Sequence, residues 1–223
     1  MRVFVGAPTQ WVSLGDQSLE MLLADPTALE APELRIALQA WQSPTAELTF
    51  ESTGPSGDRA VAIAIGDNAA TLVASEFGQE TRLAAVTPES IPALIARYAK
   101  LGPAPYSEEP VAKVRHSDLD RLARPPYERS KSLESLPCAE LLSTEDWNMW
   151  SVRAAFQMAD GTAGGYRIDA LGAAGYGWWL LEPGRKRVTI SRTRSVTLWA
   201  LICSLTSAAV NSIDPEGPTT ARG

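Results

Sequence analysis

The chain has 223 residues, 45% of them hydrophobic, with 20 basic and 26 acidic side chains and a net charge of -6. That apolar content excludes a disordered polymer and suits one sizeable core or two halves sharing one, while the acidity argues against a nucleic-acid binder held by phosphate contacts. The charge is uneven, 6 basic and 14 acidic in residues 1–110 against 14 and 12 in residues 111–223, so a local basic face on the second half stays open.

"RVFV" reads as a strand, and no apolar run of signal-peptide length accompanies it, so a cytosolic protein is expected. "SLGDQSLEMLLADPTALEAPELRIALQAWQS" reads as two helices separated by "DPTALEAP". Pro32 and Glu33 suit the first turn of the second helix, and Leu34, Leu38 and Trp41 fall on one face of it. The period then shortens. "AELTFES", "RAVAIAIGD", "AATLVASEF" and "ETRLAAV", broken by turn residues, predict a four-strand meander. "TPESIPALIARYAKLGPAP" follows as a helix with Thr87 as N-cap, Pro88 as first helical residue and Gly102-Pro103 as the stop.

Residues 105–146 are polar and punctuated by proline, which predicts a connection with one short helix over 117–123. The order of elements then repeats. "WNMWSVRAAFQMAD", "GGYRIDALGA", "YGWWLLEP" and "RKRVTIS" predict strands, "RTRSVTLWALICSLTSAAV" a helix, and residues 214–223 a disordered tail. An offset of 104 aligns Val86 with Ile190, Leu94 with Leu198, Ile95 with Trp199 and Leu101 with Leu205. The expected fold is an α+β domain over 1–213, made of two related halves (about 1–110 and 111–213). Its antiparallel sheets join or pack by a pseudo-two-fold, with helices on one side.

Enzymatic constellations are sparse. The only histidine, His116, stands at a helix entry, and Cys138 and Cys203 are too few for a disulfide framework and too far apart for a metal knuckle. "GTAGGYRIDALGAAGYG" contains neither phosphate-binding glycine pattern and lies among strands. Asp169, two residues from Arg167, predicts an ion pair on one sheet face. The cluster Arg185, Lys186, Arg187, Arg192 and Arg194 admits two readings, an anion site at a helix N-terminus or a cationic edge strand; the second is simpler because no glycine-rich loop precedes the helix. Tryptophans crowd the second half at Trp147, Trp150, Trp178, Trp179 and Trp199. Adjacent Trp178 and Trp179 must face opposite sides of a strand, so one enters the core and the other, on the outer face, needs a cover from the chain itself or from a partner.

The order and hydrophobic pattern of "LEAPELRIALQAWQSPTAELTFES", "RAVAIAIGDNAATLVASEF", "ETRLAAVTPESIPALIARYAKLGPAP" and "YGWWLLEPGRKRVTISRTRSVTLWALICSL" resemble the EspG family, chaperones of actinobacterial type VII secretion. The resemblance covers somewhat more than half the chain. An excess of arginine over lysine, 16 against 4, agrees with an actinobacterial source. Two departures stand out: family members carry more strands before the first helix, and their client-holding hairpin loop is often longer than "TGPSG". The resemblance implies a binding protein rather than an enzyme, cytosolic, with no cofactor, no nucleic acid and no membrane insertion. Its partner would be a helical PE-PPE dimer kept soluble for secretion. The partner-binding residues it implies are the hairpin Thr53, Gly54, Pro55, Ser56, Gly57 and Asp58, the outward member of Trp178 and Trp179, and the start of the last helix with Arg192 and Arg194. An immunity or regulatory module with a different protein partner is the alternative; an anion-binding enzyme using the basic cluster is the third reading.

Overall fold

The computed structural model describes residues 11–14, 19–25, 32–66, 69–76, 79–109, 111–122, 138–142, 146–158, 161–173 and 175–211. "RVFV" and the tail 214–223 lie outside them. The first meander is β2 (Ala46–Thr53), β3 (Arg59–Ile65), β4 (Ala70–Glu76) and β5 (Arg82–Val86), and the second is β7 (Asn148–Gln157), β8 (Ala163–Ala173), β9 (Gly177–Pro183) and β10 (Arg187–Thr193). Alternation is strictest in β2, where Ala46, Leu48, Phe50 and Ser52 are buried while Glu47, Thr49 and Glu51 are exposed.

Two further short strands were not legible as such. β1 (Trp11–Ser13) pairs with β5, and β6 (Ala112–Arg115) pairs with β10, so the ten strands among the described residues form one antiparallel sheet in the order β1-β5-β4-β3-β2-β7-β8-β9-β10-β6. The two meanders meet along β2 and β7, in register from Ala46 opposite Phe156 to Thr53 opposite Met149.

Helices complete the repeat. α1 (Leu19–Ala24) and α2 (Pro32–Gln42) lie between β1 and β2, and α3 (Ile91–Tyr98) follows β5; α4 (His116–Leu122) and α5 (Ala139–Leu142) lie between β6 and β7, and α6 (Ser195–Asn211) follows β10. Among the described residues each half therefore reads β-α-α-β-β-β-β-α. The second copy begins at β6, inside what the sequence suggested was mere connection. The offset of 104 holds for Leu94 and Leu198, both buried in the shared core, but sets Val86 against Ile190, which lie on opposite faces. A register error of one residue in a strand is enough to cause that.

The α+β class and the antiparallel sheet are as expected, but helices pack on both faces rather than one. On the closed face, Leu48, Phe50, Val61, Ile63, Leu72, Trp150, Val152, Ile168 and Trp178 lie beneath α3 and α6, in one core spanning both halves. Burial of each large side chain there contributes about 1.5–3 kcal/mol. On the other face, Val73, Leu83 and Ala85 pack with Leu22, Leu38 and Trp41 of α1 and α2. Leu171, Trp179, Leu181, Val188 and Ile190 pack with Cys138, Leu141 and Leu119 at the other end of the sheet.

α3 ends in a paired hydrogen-bond cap: Leu101 N–H donates to the Ala96 carbonyl at 2.8 Å and Lys100 N–H to the Arg97 carbonyl at 3.0 Å. This cap puts Lys100 in the left-handed region at φ 52, where glycine is the usual occupant. A side chain there costs about 1 kcal/mol.

Candidate functional site

α1 and α2 cover one end of the open face and α4 and α5 the other, and among the described residues no helix covers the middle of the sheet. A groove of about 790 Å³ runs across it. Its floor is built from alternate residues of the central strands: Ala60 and Ser75 of the first half, Glu51 and Thr53 of β2, Met149, Ser151 and Arg153 of β7, Arg167 and Asp169 of β8, and Leu181 of β9. His116 and Leu119 of α4 form one wall, and Asp58 and Arg59 lie at the β2–β3 hairpin.

Apolar side chains, Met149, Leu119, Leu181 and Val188, gather toward α4, while the centre is charged. Arg153 and Arg167 are directly opposite in register. Their repulsion is offset by Glu51, 3.9 Å from Arg153, and by Asp169, whose oxygens lie 2.9 and 2.7 Å from Arg167 Nε. The expected Arg167–Asp169 pair is thus present. Both arginines are half exposed, so these pairs contribute at most about 1 kcal/mol each, and their larger effect is to present both signs of charge to whatever enters.

The proposed hairpin borders this groove. Thr53 and Asp58 line it, Pro55 and Ser56 are exposed, and Ser56 Oγ accepts from Lys100 Nζ at 3.4 Å. Gly57 closes the turn at φ 95, its N–H donating to the Gly54 carbonyl at 3.0 Å. Gly54 passes so close to the Trp147 carbonyl that a Cβ would lie 2.5 Å from it.

Of the two covers the sequence left open for the outer tryptophan, the structure shows the one supplied by the chain itself. Trp178 and Trp179 do face opposite sides, but both are buried, at 0% and 4% exposure. Trp178 lies in the core beneath α3 and α6 and Trp179 packs with Cys138 and Leu141, and the segment 101–109 holds the indole N–H of each. Trp178 Nε1 donates to the Gly102 carbonyl at 3.1 Å, and Trp179 Nε1 to Glu109 Oε2 at 3.3 Å. Arg192, expected at a binding surface, belongs to the same clasp. Its side chain is only 6% exposed, its guanidinium lies 4.2 Å from the centre of the Trp179 ring, and Nη2 donates to the carbonyls of Pro105 (2.9 Å) and Tyr176 (2.7 Å). Glu109 stands 3.8 Å from Nη1. Arg194 is exposed but stacks over Tyr106 at 4.7 Å. Neither tryptophan is offered to a partner, because each is buried in a core cluster and the segment 101–109 accepts from its indole N–H.

The outward tryptophan is Trp199, 36% exposed beside Val196 at the start of α6, on the face away from the groove. The structure therefore brings the hairpin and the bare sheet together and separates both from the last helix. Arg185 and Lys186 sit in the β9–β10 turn, and β10 is covered by β6, so the basic cluster is not an edge strand. His116 is exposed at the start of α4, with Nε2 2.9 Å from the Gly184 carbonyl. The cysteines form no disulfide, and burial pushes the Cys203 thiol up from its ordinary value. Among the described residues no cluster of His, Cys, Asp and Glu is arranged to hold a metal ion, and no helix is long and apolar enough to cross a membrane.

The groove floor was the part the sequence reading missed. Its signal lay in the polar alternate positions of β2, but which strands stand side by side is fixed only by the sheet order.

A ten-stranded antiparallel sheet of two β-α-α-β-β-β-β-α repeats, covered on one face and open at the centre of the other, defines the class: an α+β fold of the EspG type. The chain is similar to a chain in the structure of the Mycobacterium tuberculosis type VII secretion system chaperone EspG5 in complex with the PE25-PPE41 dimer. The TM-score is 0.56 at 11% identity, over 90% of this chain and 96% of that one. No family model matches the sequence, and no curated protein does.

Proposed function

We propose that this protein is a cytoplasmic chaperone or adaptor for type VII secretion that binds a helical PE-PPE-type client in the open groove and keeps it soluble. The observation that carries this reading is the groove of about 790 Å³ across the bare centre of a sheet whose fold it shares with EspG5. A helix with its side chains is about 10–12 Å across. A hollow of this size takes the end of a helical pair rather than its length. The half-buried Met149 and Leu119, at the α4 side of the groove, suit an apolar tip that would otherwise aggregate. The Glu51–Arg153 and Arg167–Asp169 pairs meet polar groups around the tip and fix its orientation. No step in this function calls for a cofactor.

The test is co-expression with PE-PPE pairs followed by size-exclusion chromatography. A stable ternary complex is expected, and it is lost in Ala60→Trp, which fills the groove from an exposed position of β3. The melting temperature of that variant stays within about 2 °C of the parent, as for other surface changes. Independent elution of the parent protein and every pair tried would remove the chaperone reading. A complex that survives Ala60→Trp would move the binding surface elsewhere.

A further inference from the structure

We infer that two copies of this chain associate through α6, as an antiparallel helix pair about a two-fold axis near Cys203. The observation is a stripe down the outer side of that helix, where Val196, Trp199, Ala200, Ser204 and Ser207 are exposed and Cys203 is half-buried. These positions recur at spacings of three and four residues, so they form one face. A surface helix ordinarily turns charged side chains to water. α6 carries none in its seventeen residues, in a chain of net charge -6. An uncharged face is where two like-charged copies meet with least repulsion.

The distribution of sizes along the stripe names the occupant. Its N-terminal half holds Val196 and Trp199, 66% and 36% exposed, whereas its C-terminal half presents Ser204, Ser207 and Asn211. A parallel pair would set bulk against bulk. An antiparallel pair sets Trp199 of each copy into the space above Ser204 and Ser207 of the other, and Val196 beside Asn211. The same patch then serves on both copies, as a closed two-fold dimer requires.

Charge supplies a second, independent reason. The last turn of α6 has no basic side chain to meet its carbonyl end. Arg194 stands immediately before the helix, exposed, with its guanidinium 4.7 Å from the centre of the Tyr106 ring. In the antiparallel pair Arg194 of each copy comes to the carbonyl end of the other copy's α6 and provides the missing cation. The helix is about 25 Å long and about 10 Å across. With Tyr106 and Arg194 at both ends, roughly 1,000 Å² is buried in all, the lower end for a specific interface. The dimer is therefore weak and concentration-dependent. α6 packs on the closed face, so pairing leaves both grooves open and does not depend on the chaperone reading.

The experiment is sedimentation velocity of the full chain across the micromolar range, where an equilibrium between monomer and dimer is expected. Ala200→Glu and Ser207→Lys each alter an exposed position, so both fold. Their melting temperatures, read at a concentration where the parent is monomeric, stay within about 2 °C of it. Each alone should weaken association at least about tenfold, because an unpaired charge loses its water twice per dimer. The double variant should return to within about threefold of the parent, since the new carboxylate of one copy meets the new ammonium of the other. Within one helix these positions are seven residues apart, about 10 Å, too far to pair. A parent that stays monomeric throughout overturns the assignment. So does a dimer that both single variants leave intact, or a double variant no stronger than the singles.

Discussion

Arg192→Ala tests the clasp that joins the two repeats. The substitution removes two hydrogen bonds from a charged donor, to the carbonyls of Pro105 and Tyr176 at 2.9 and 2.7 Å, and the partner of Glu109 at 3.8 Å. It also uncovers the Trp179 ring, on which the guanidinium sits at 4.2 Å. Hydrogen bonds to charged groups contribute about 1.5–3 kcal/mol each and a desolvated cation–π contact about 2. These are not additive, and Arg192 Nε, which has no acceptor among the described residues, offsets part of the gain. Loss of about 3–5 kcal/mol is expected, in line with removal of one partner from a buried charged network. Urea denaturation of parent and variant reads it directly. Arg192→Lys recovers less than half, because an ammonium cannot lie flat on the indole and reach both carbonyls. A glutamate-specific protease adds a structural readout, with native-state cutting after Glu108 or Glu109 faster once the segment is released. The reasoning is refuted if Arg192→Ala loses less than about 1 kcal/mol, or if Arg192→Lys matches the parent in stability.

Gly177→Ala should cost about 2–4 kcal/mol by denaturation, because its φ of 137 strains any side chain and a Cβ would collide with the Arg192 guanidinium. In the Arg192→Ala background that loss shrinks, since the collision is gone. Lys100→Gly should stabilise the protein by about 1 kcal/mol in thermal or urea denaturation, by relieving the left-handed backbone. Cys203, whose thiol burial pushes up, holds less thiolate at any given pH than an exposed cysteine. Its alkylation in the native protein should therefore be slow at neutral pH, with the rise in rate displaced to higher pH, as mass spectrometry of the labelled peptide will record.

Both meanders, α3 and α6 were legible because strand alternation and capping residues are local signals. β1 and β6, of three and four residues, were not, since a period cannot be read over so short a run and they exist only by pairing with β5 and β10. Missing them hid the second copy of the leading unit and left β10 looking like a sheet edge. Alternation correctly placed Trp178 and Trp179 on opposite faces. The acceptors of their indole N–H groups, Gly102 and Glu109, lie more than sixty residues earlier in the chain, and no local pattern carries that information. The hairpin 53–58 was found from its turn residues, whereas the groove beside it depends on six strands being laid in one order.

The central pairing of β2 with β7 also sets the order of events at the ribosome. β2 is complete at Thr53, but the strand that covers its edge begins at Asn148. At roughly 5–20 residues per second, a nascent first repeat spends about 5–20 seconds with the edge of its eight-residue β2 bare. An unpaired edge of that length templates pairing with any other bare strand. In polysomes making several copies, the nearest such strand is β2 of the next nascent chain, whose antiparallel pairing with it would imitate the finished β2–β7 seam.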